Sequence, residues 1–336
     1  MTISPTILGC AGTRLSAEER AFFTRANPLG FILFARNCET PGQIRALVAE
    51  LRSAVGRADA PVLIDQEGGR VARLKPPQWR AAAPAGRFGE LAARNPHAAI
   101  EAVRLNSYLI ARELAALGID VDCAPVLDLR FPGAHEVIGD RAFGAAPQGV
   151  AELGRAACEG FLAGGVLPVI KHVPGHGRAM VDSHHELPIV TAARAELEAT
   201  DFEPFRLLAD MPWAMTAHVR YTAIDPSLPA TLSPVVIREV IRGHIGFDGL
   251  LLCDDLSMRA LKGDLGQLAR QALAAGCDIA LHCNGNMKEM TAVVAAAGVL
   301  SADAERRFRR GRALLERSAG TAIAADEARL AELMRA

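Results

Sequence analysis

Two short stretches concentrate the reactive side chains of this chain. Lys171-His172-Val173-Pro174-Gly175-His176-Gly177 is followed closely by Asp182-Ser183-His184-His185-Glu186, so four histidines and two carboxylates fall within 16 residues. Three chemistries compete for them. A metal site would need imidazoles gathered on one face, but Pro174-Gly175 between His172 and His176 breaks the helix that an i, i+4 pair requires, and no H-E-x-x-H is present. Loop residues that simply hydrogen-bond to backbone are the more economical reading of His176 and His185 taken singly. An acid/base dyad is the third: Asp182 lies two residues from His184, close enough to orient the imidazole and favour its protonated form.

A second cluster is Leu251-Leu252-Cys253-Asp254-Asp255-Leu256-Ser257-Met258. A carboxylate at the end of a buried apolar run is costly to desolvate unless it is paired or used. It suits a nucleophile, a metal ligand or a partner for a cation. Successive strand residues point to opposite faces, so only one of Asp254 and Asp255 can aim at a reaction centre, and Asp254 is the expected one. A third cluster, Asp65-Gln66-Glu67-Gly68-Gly69-Arg70-Val71-Ala72-Arg73, has a glycine pair suited to a tight turn and close backbone approach. It matches no phosphate-cradling loop.

The elements that must position these groups are legible as apolar runs. Strands are expected at Thr6–Ala11, Gly30–Phe34, Pro61–Ile64, Asp120–Val126, Leu167–His172, Ala214–His218, Leu250–Asp254 and Asp278–His282. Helices are expected at Ala17–Ala26, Pro41–Val55, Pro96–Leu117, Gln148–Ala163, Ala193–Leu208, Pro234–Ile241, Gly266–Ala275 and Met287–Ala296, with Pro76–Gly86 a long loop. Nearly continuous apolar strands suit a parallel sheet buried on both faces. Eight strand-then-helix units predict an α/β fold, a single (β/α)8 TIM barrel spanning residues 1–336, with extra C-terminal helices near Ala302–Arg317 and Asp326–Met334. Active sites of such barrels lie at the C-terminal strand ends. Polar residues close seven of the eight runs: Arg36-Asn37, Asp65-Gln66-Glu67, Asp128, Lys171-His172, His218, Asp254-Asp255, and His282 with Asn284. They are expected to converge on one mouth.

Composition narrows the partners. Of the 336 residues half are hydrophobic, and the formal net charge is −1, so no basic stripe marks a nucleic-acid or anionic-membrane surface. Met1 to Ser16 does not read as a signal peptide, and no apolar run approaches the roughly 18 residues of a membrane span. The cysteines (Cys10, Cys38, Cys123, Cys158, Cys253, Cys277, Cys283) are odd in number and lack a C-x-x-C pair, as expected of buried thiols in a reducing compartment. A cytoplasmic protein acting on a small molecule follows, and a monomer is expected.

Taken together the motifs resemble glycoside hydrolase family 3, and within it the short NagZ-type β-N-acetylglucosaminidases. The matching stretches are Phe31-Ile32-Leu33-Phe34-Ala35-Arg36-Asn37, Asp65-Gln66-Glu67-Gly68-Gly69-Arg70-Val71, Ala124-Pro125-Val126-Leu127-Asp128 and Ile138-Gly139-Asp140-Arg141-Ala142-Phe143, together with the three motifs at 171–177, 182–184 and 254–258. K-H-x-P-G-H-G with D-S-H is the most specific part and marks the N-acetylglucosaminidase branch. The resemblance implies a retaining double displacement with no cofactor and no metal. Asp254 would be the nucleophile, His184 the general acid and then base, and Asp182 its charge partner. Asp65, Arg73, Arg141, Lys171 and His172 would bind the sugar. The implied substrate is a muropeptide, GlcNAc linked to an anhydro-muramoyl unit, in peptidoglycan recycling. Cys253 and Val173 depart from the common pattern without touching a residue assigned to chemistry. Many members carry the acid/base on a second domain; the length left after the barrel is too short for one, so the acid is expected from the His184 loop. Two rivals remain: a metal-dependent amidohydrolase-like barrel using His172, His176, His184 and Asp254, and a catalytically silent sugar-binding barrel.

Overall fold

The computed structural model of the chain describes residues 2–318 and 327–336. Eight parallel strands form one sheet: β1 (Ser4–Leu8), β2 (Pro28–Leu33), β3 (Val62–Ile64), β4 (Val121–Asp122), β5 (Leu167–Val173), β6 (Trp213–Thr216), β7 (Leu250–Leu252) and β8 (Ala280–His282). Each pairs with its chain neighbour, and β8 also pairs with β1 in the register Thr6 to Ala280 and Leu8 to His282. Between β7 and β8 the ladder is reduced to one bridge, Leu252 to Ile279, with backbone hydrogen bonds from the Asp278 amide to the Leu251 carbonyl and from the Cys253 amide to the Ile279 carbonyl beside it. The result is a nearly closed (β/α)8 barrel. Every residue of β1, β2 and β5 is buried, which is why these strands read as largely apolar runs and not as alternating ones; the buried polar residues among them include Lys171 and His172, at the site end of β5.

The strand ends depart from expectation where the chemistry begins. β4 is regular only to Asp122, but its pairing runs on: the Cys123 amide donates to the Ile64 carbonyl, the Ala124 and Pro125 carbonyls accept the Val169 and Lys171 amides, and Val126 bridges Lys171. β7 stops at Leu252, so Asp254 and Asp255 stand on the loop beyond it.

Most helices fall close to where the apolar spacing puts them, including Ala17–Ala26 and Pro41–Val55, each started by a side-chain cap, from Ser16 and Thr40. Three expectations need correction. The helix expected over Ala193–Leu208 is two, Arg194–Ala199 and Glu203–Leu207. The break falls at Thr200–Asp201, where Arg178 ties down the Asp201 carboxylate, and Pro204 sits in the first turn of the second helix, the position proline tolerates. The segment expected at Pro234–Ile241 runs from Val236 to His244 as a π-helix. The loop after β3 ends at Pro84, and Ala85–Ala92 is a helix that buries Phe88 and Leu91. Gly89 of that helix lies against the Phe143 carbonyl, which a Cβ would meet at 1.6 Å. That close approach packs the helix onto the segment carrying Arg141.

Ala302–Ser318 crosses the barrel at the N-terminal strand ends, away from the mouth. Its Arg312 pairs with Asp120 ahead of β4 at 2.6 Å, and Arg307 with Asp278 ahead of β8 at 2.8 Å. The last helix spans Glu327–Leu333; Asp326, its expected start, lies outside the described residues.

Candidate active site

At the C-terminal strand ends the barrel opens into a cavity of about 290 Å³. Of the residues singled out above, Asp65, Arg73, Arg141, Lys171, His172, His184 and Asp254 line it, while Asp182 stands behind His184. One wall is charged; Ile32, Phe34, Met215, Met258 and Leu281 add apolar lining, with the Arg73 guanidinium 4.9 Å from the centre of the Phe34 ring.

The charged wall is built from the ends of β3 and β5. Past β3 the chain doubles back as a two-stranded hairpin, Gln66–Gly68 with Val71–Ala72. Gly68 and Gly69 turn it at φ of 96° and 58°, and a Cβ on Gly68 would meet the Ala83 carbonyl at 2.4 Å, so the glycine pair serves both the turn and the close approach. The hairpin brings Glu67 beside Asp65. The Lys171 ammonium, almost wholly buried, sits between them at 2.9 Å from Asp65 and 2.7 Å from Glu67. Arg73 completes Asp65 at 3.0 Å, and Arg141 grips Glu67 with two hydrogen bonds of 2.8 Å. Burial pushes both carboxyls up, but the cations outweigh it. Asp65 is held well below the usual carboxylate range by Lys171 and Arg73, and Glu67 is held at about 2 by Arg141 and Lys171. Two anions and three cations thus leave the wall with donors to spare. Asp122 lies beneath it with one oxygen unpartnered among the described residues, and burial pushes its carboxyl up to about 8.

Asp254 and Asp255 both line the cavity, but their oxygens are committed differently. Asp255 accepts hydrogen bonds from Ser257 N and Oγ and from Cys283 N, the last of these just past β8. Asp254 accepts one, from the Asp255 amide at 2.8 Å, and among the described residues its Oδ2 accepts none. Burial raises the Asp254 carboxyl, yet His218, His172, that amide and Lys171 together bring it below its ordinary value, so it is ionised at neutral pH.

Past β5 the histidine motif wraps around one carboxylate. Asp128, without solvent exposure, takes His172 Nδ1 at 2.6 Å on one oxygen and the His172 and His176 amides on the other. His176 Nε2 reaches Ser183 Oγ at 2.9 Å. Ser183 lies between Asp182 and His184, whose Nδ1 is 2.7 Å from Asp182 Oδ1. His184 exposes 60% of its side chain at the cavity mouth.

The convergence of polar strand ends is partial. Arg36 and Asn37 bind the Cys10 carbonyl and brace the β1 and β2 loops. His218 donates to the Asp255 carbonyl at 3.0 Å, and His282 is buried under Asp255 and Glu289. None of these lines the cavity. Polar side chains at a strand end serve either the site or the struts beneath it, and sequence position does not separate the two. The four residues of the metal reading are engaged elsewhere: His172 with Asp128, His176 with Ser183, His184 with Asp182, and Asp254 with its neighbour's amide. Among the described residues no group of three or more His, Cys, Asp or Glu side chains is arranged to hold a metal ion. Also among the described residues, no helix is long and apolar enough to cross a membrane.

Glu67, Asp128 and Ser183 are site residues that the sequence argument did not assign. A signal existed for Glu67, in the D-Q-E spacing at the end of β3, and for Asp128, a carboxylate closing an apolar run. Ser183 stands inside the D-S-H motif, but the motif does not say which partner its hydroxyl takes.

Comparison with known proteins places this geometry. Residues 6–310 match the family described as "Glycosyl hydrolase family 3 N terminal domain". A beta-hexosaminidase of Alkalilimnicola ehrlichii is 45% identical over 291 residues, covering 84% of this chain and 82% of that one. One of Bordetella avium is 40% identical over 286 residues, covering 83% and 80%. The crystal structure of NagZ from Neisseria gonorrhoeae in complex with N-trifluoroacetyl-D-glucosamine superposes with a TM-score of 0.88 at 30% identity, covering all of this chain and 98% of that one.

Proposed function

The chain belongs to glycosyl hydrolase family 3 and is a glycosidase of the β-hexosaminidase type; from that premise we propose that it removes terminal β-linked GlcNAc with retention of configuration. In this reading its substrates are muropeptides of the GlcNAc-1,6-anhydroMurNAc type, met in the cytoplasm during peptidoglycan recycling, and it acts as a monomer without cofactor or metal.

One observation carries the reading. An ionised carboxylate with an unpaired oxygen, Asp254, and an imidazole backed by a carboxylate, His184 with Asp182, border the same small cavity. In the first step Asp254 attacks the anomeric carbon as the bond to the leaving oxygen breaks. His184 gives that oxygen its proton, and Asp182 balances the charge on the ring. In the second step His184 takes a proton from water, the oxygen of that water attacks the anomeric carbon, and the Asp254 carboxylate leaves. Two inversions give net retention. Most retaining glycosidases use two carboxyl groups; here an imidazole takes the second role.

The cavity walls support a sugar as the ligand. A pyranose presents hydroxyls around its rim and C–H bonds on its faces, which suits a cavity lined by both charged and apolar side chains. Asp65, Arg73, Arg141, Lys171 and His172 are assigned to the hydroxyls and the acetamido group. Glu67 orients Arg141 and Lys171 from behind, and the Lys171 position between two anions keeps it charged and unfit as a nucleophile.

Turnover of 4-nitrophenyl N-acetyl-β-glucosaminide should exceed that of the β-glucoside and β-xyloside, and the first-formed sugar should be the β-anomer by NMR. Preference for the β-glucoside would reject the hexosamine assignment, and an α-anomer would reject the double displacement. Release of GlcNAc from a GlcNAc-anhydroMurNAc peptide tests the natural substrate.

A further inference from the structure

The second histidine of the K-H-V-P-G-H-G motif, His176, has no part in the chemistry above, yet it is buried at the centre of the site. We infer that His176 is a positioning residue that holds the Asp182-Ser183-His184 turn over the sugar cavity through its hydrogen bond to Ser183. The inference rests on the reading of His184 as acid/base.

The turn is self-contained. Asp182 Oδ1 accepts both the amide and the ring Nδ1 of His184, and the Asp182 carbonyl accepts the amides of His185 and Glu186. Those bonds preserve the dyad's internal geometry but do not say where the dyad sits. Within 182–184, the hydrogen bonds of the described residues that reach the rest of the barrel are all made by Ser183. Its Oγ meets His176 Nε2 at 2.9 Å, and its carbonyl accepts the Ala260 amide at 3.2 Å. Burial follows the same pattern: Ser183 is 3% exposed, between a half-buried Asp182 and an exposed His184.

His176 is itself immovable. Its amide donates to Asp128 at 2.6 Å, the carboxylate that also holds His172 Nδ1, so the sugar-facing imidazole and the acid/base turn hang from one buried anchor. The His176 Nδ1 is buried without a partner among the described residues. An orphaned ring nitrogen is less costly as a bare lone pair than as an N–H, which puts the proton on Nε2 and makes it the donor to Ser183. Burial also pushes this imidazole down to about 4, so it is neutral across the working range.

Ser183→Ala deletes only the hydroxyl. It should lower kcat on substrates with an unactivated sugar aglycone by roughly 10- to 100-fold, the scale of a misplaced catalytic group. Glycosyl-enzyme formation from a 2,4-dinitrophenyl glycoside, which needs no acid, should stay near the wild-type rate. His176→Ala should match Ser183→Ala, and His176→Gln, whose amide reaches the same place, should recover most of the loss. In a His184→Ala background Ser183→Ala should cost nothing further, because it acts only through that imidazole. Wild-type behaviour of Ser183→Ala, equal losses on both substrates, or an additional loss in the His184→Ala background would each overturn the inference. Failure of the underlying reading looks different: His184→Ala alone would then lose equally on both leaving groups.

Discussion

Replacing Lys171 with Met, similar in length and apolar, removes one charge from the middle of the cavity wall and should expose how that wall is held together. The ammonium lies 2.9 Å from Asp65 and 2.7 Å from Glu67, and all three side chains are largely buried. Removing one member of a buried ion pair costs about 3–5 kcal/mol, because the remaining charge keeps its desolvation penalty and loses its compensation. Glu67 retains its two bonds from Arg141 and Asp65 retains Arg73, which puts the expected loss near the lower end, about 3 kcal/mol at pH 7. Its pH dependence follows from the carboxyls. Both are held below their unfolded values in the native protein, Glu67 at about 2 against 4.5. The stability they contribute is complete above the unfolded value and is lost as pH falls through the folded one. Lys171→Met raises the folded values and so has less to lose on acidification. The gap between the two proteins should therefore be widest at pH 7 and narrow below about pH 4. Urea unfolding at pH 7, 5 and 3, followed by the fluorescence of buried Trp213, measures it. A gap as large at pH 3 as at pH 7 would mean that lost packing, not lost charge, is responsible. In assays the variant should show a raised KM or a lowered kcat/KM while covalent labelling of the enzyme persists; complete loss of labelling would make Lys171 an orienting group for the nucleophile instead.

Asp254→Asn should lower turnover by several orders of magnitude in a protein that unfolds at the wild-type temperature, and a slow 5-fluoro glycosyl substrate should add one sugar mass to Asp254 in the parent; a label on Asp255 would contradict the assignment. His184→Ala should cripple hydrolysis of unactivated substrates by roughly 10²–10⁴-fold, the usual worth of a general acid. It should spare glycosyl-enzyme formation from a dinitrophenyl glycoside, let the intermediate accumulate, and allow azide to speed turnover as a β-glycosyl azide. Asp182→Ala should show the same pattern more weakly, since it removes only the group that orients the ring; losses independent of the leaving group, without azide rescue, would place the acid elsewhere. Exhaustive chelation should leave hydrolysis of the 4-nitrophenyl substrate unchanged, and an activity that disappears and returns with added divalent metal would revive the metal-dependent alternative.

Much of the barrel was written locally. Strands buried on both faces need apolar residues at nearly every position, and helices need caps and a periodic stripe, so β2, most of β5 and the helices Ala17–Ala26 and Pro41–Val55 could be read from a few consecutive residues. The break inside Ala193–Leu208 was half legible, in Pro204; the other half, Arg178 holding Asp201, was not, because it is a tertiary contact. The reactive residue types could also be named: Asp65, Lys171, His172 and Asp254 stand at or just past a strand end, and Arg141, Asp182 and His184, off the strands, stand in recognisable motifs. Which partner each would take was beyond the sequence. Lys171 is 106 residues from Asp65, Arg141 is 74 from Glu67 and His172 is 44 from Asp128. Strand alternation narrowed the carboxylate pair to one of two, but β7 ends before either is reached. Ser257 and the Cys283 amide past β8 are what occupy Asp255 and leave Asp254 its unpaired oxygen. The periodicity of burial is a local property of the chain. The pairing of charges is set by which strand ends the closing barrel brings together, and that depends on the whole sheet at once.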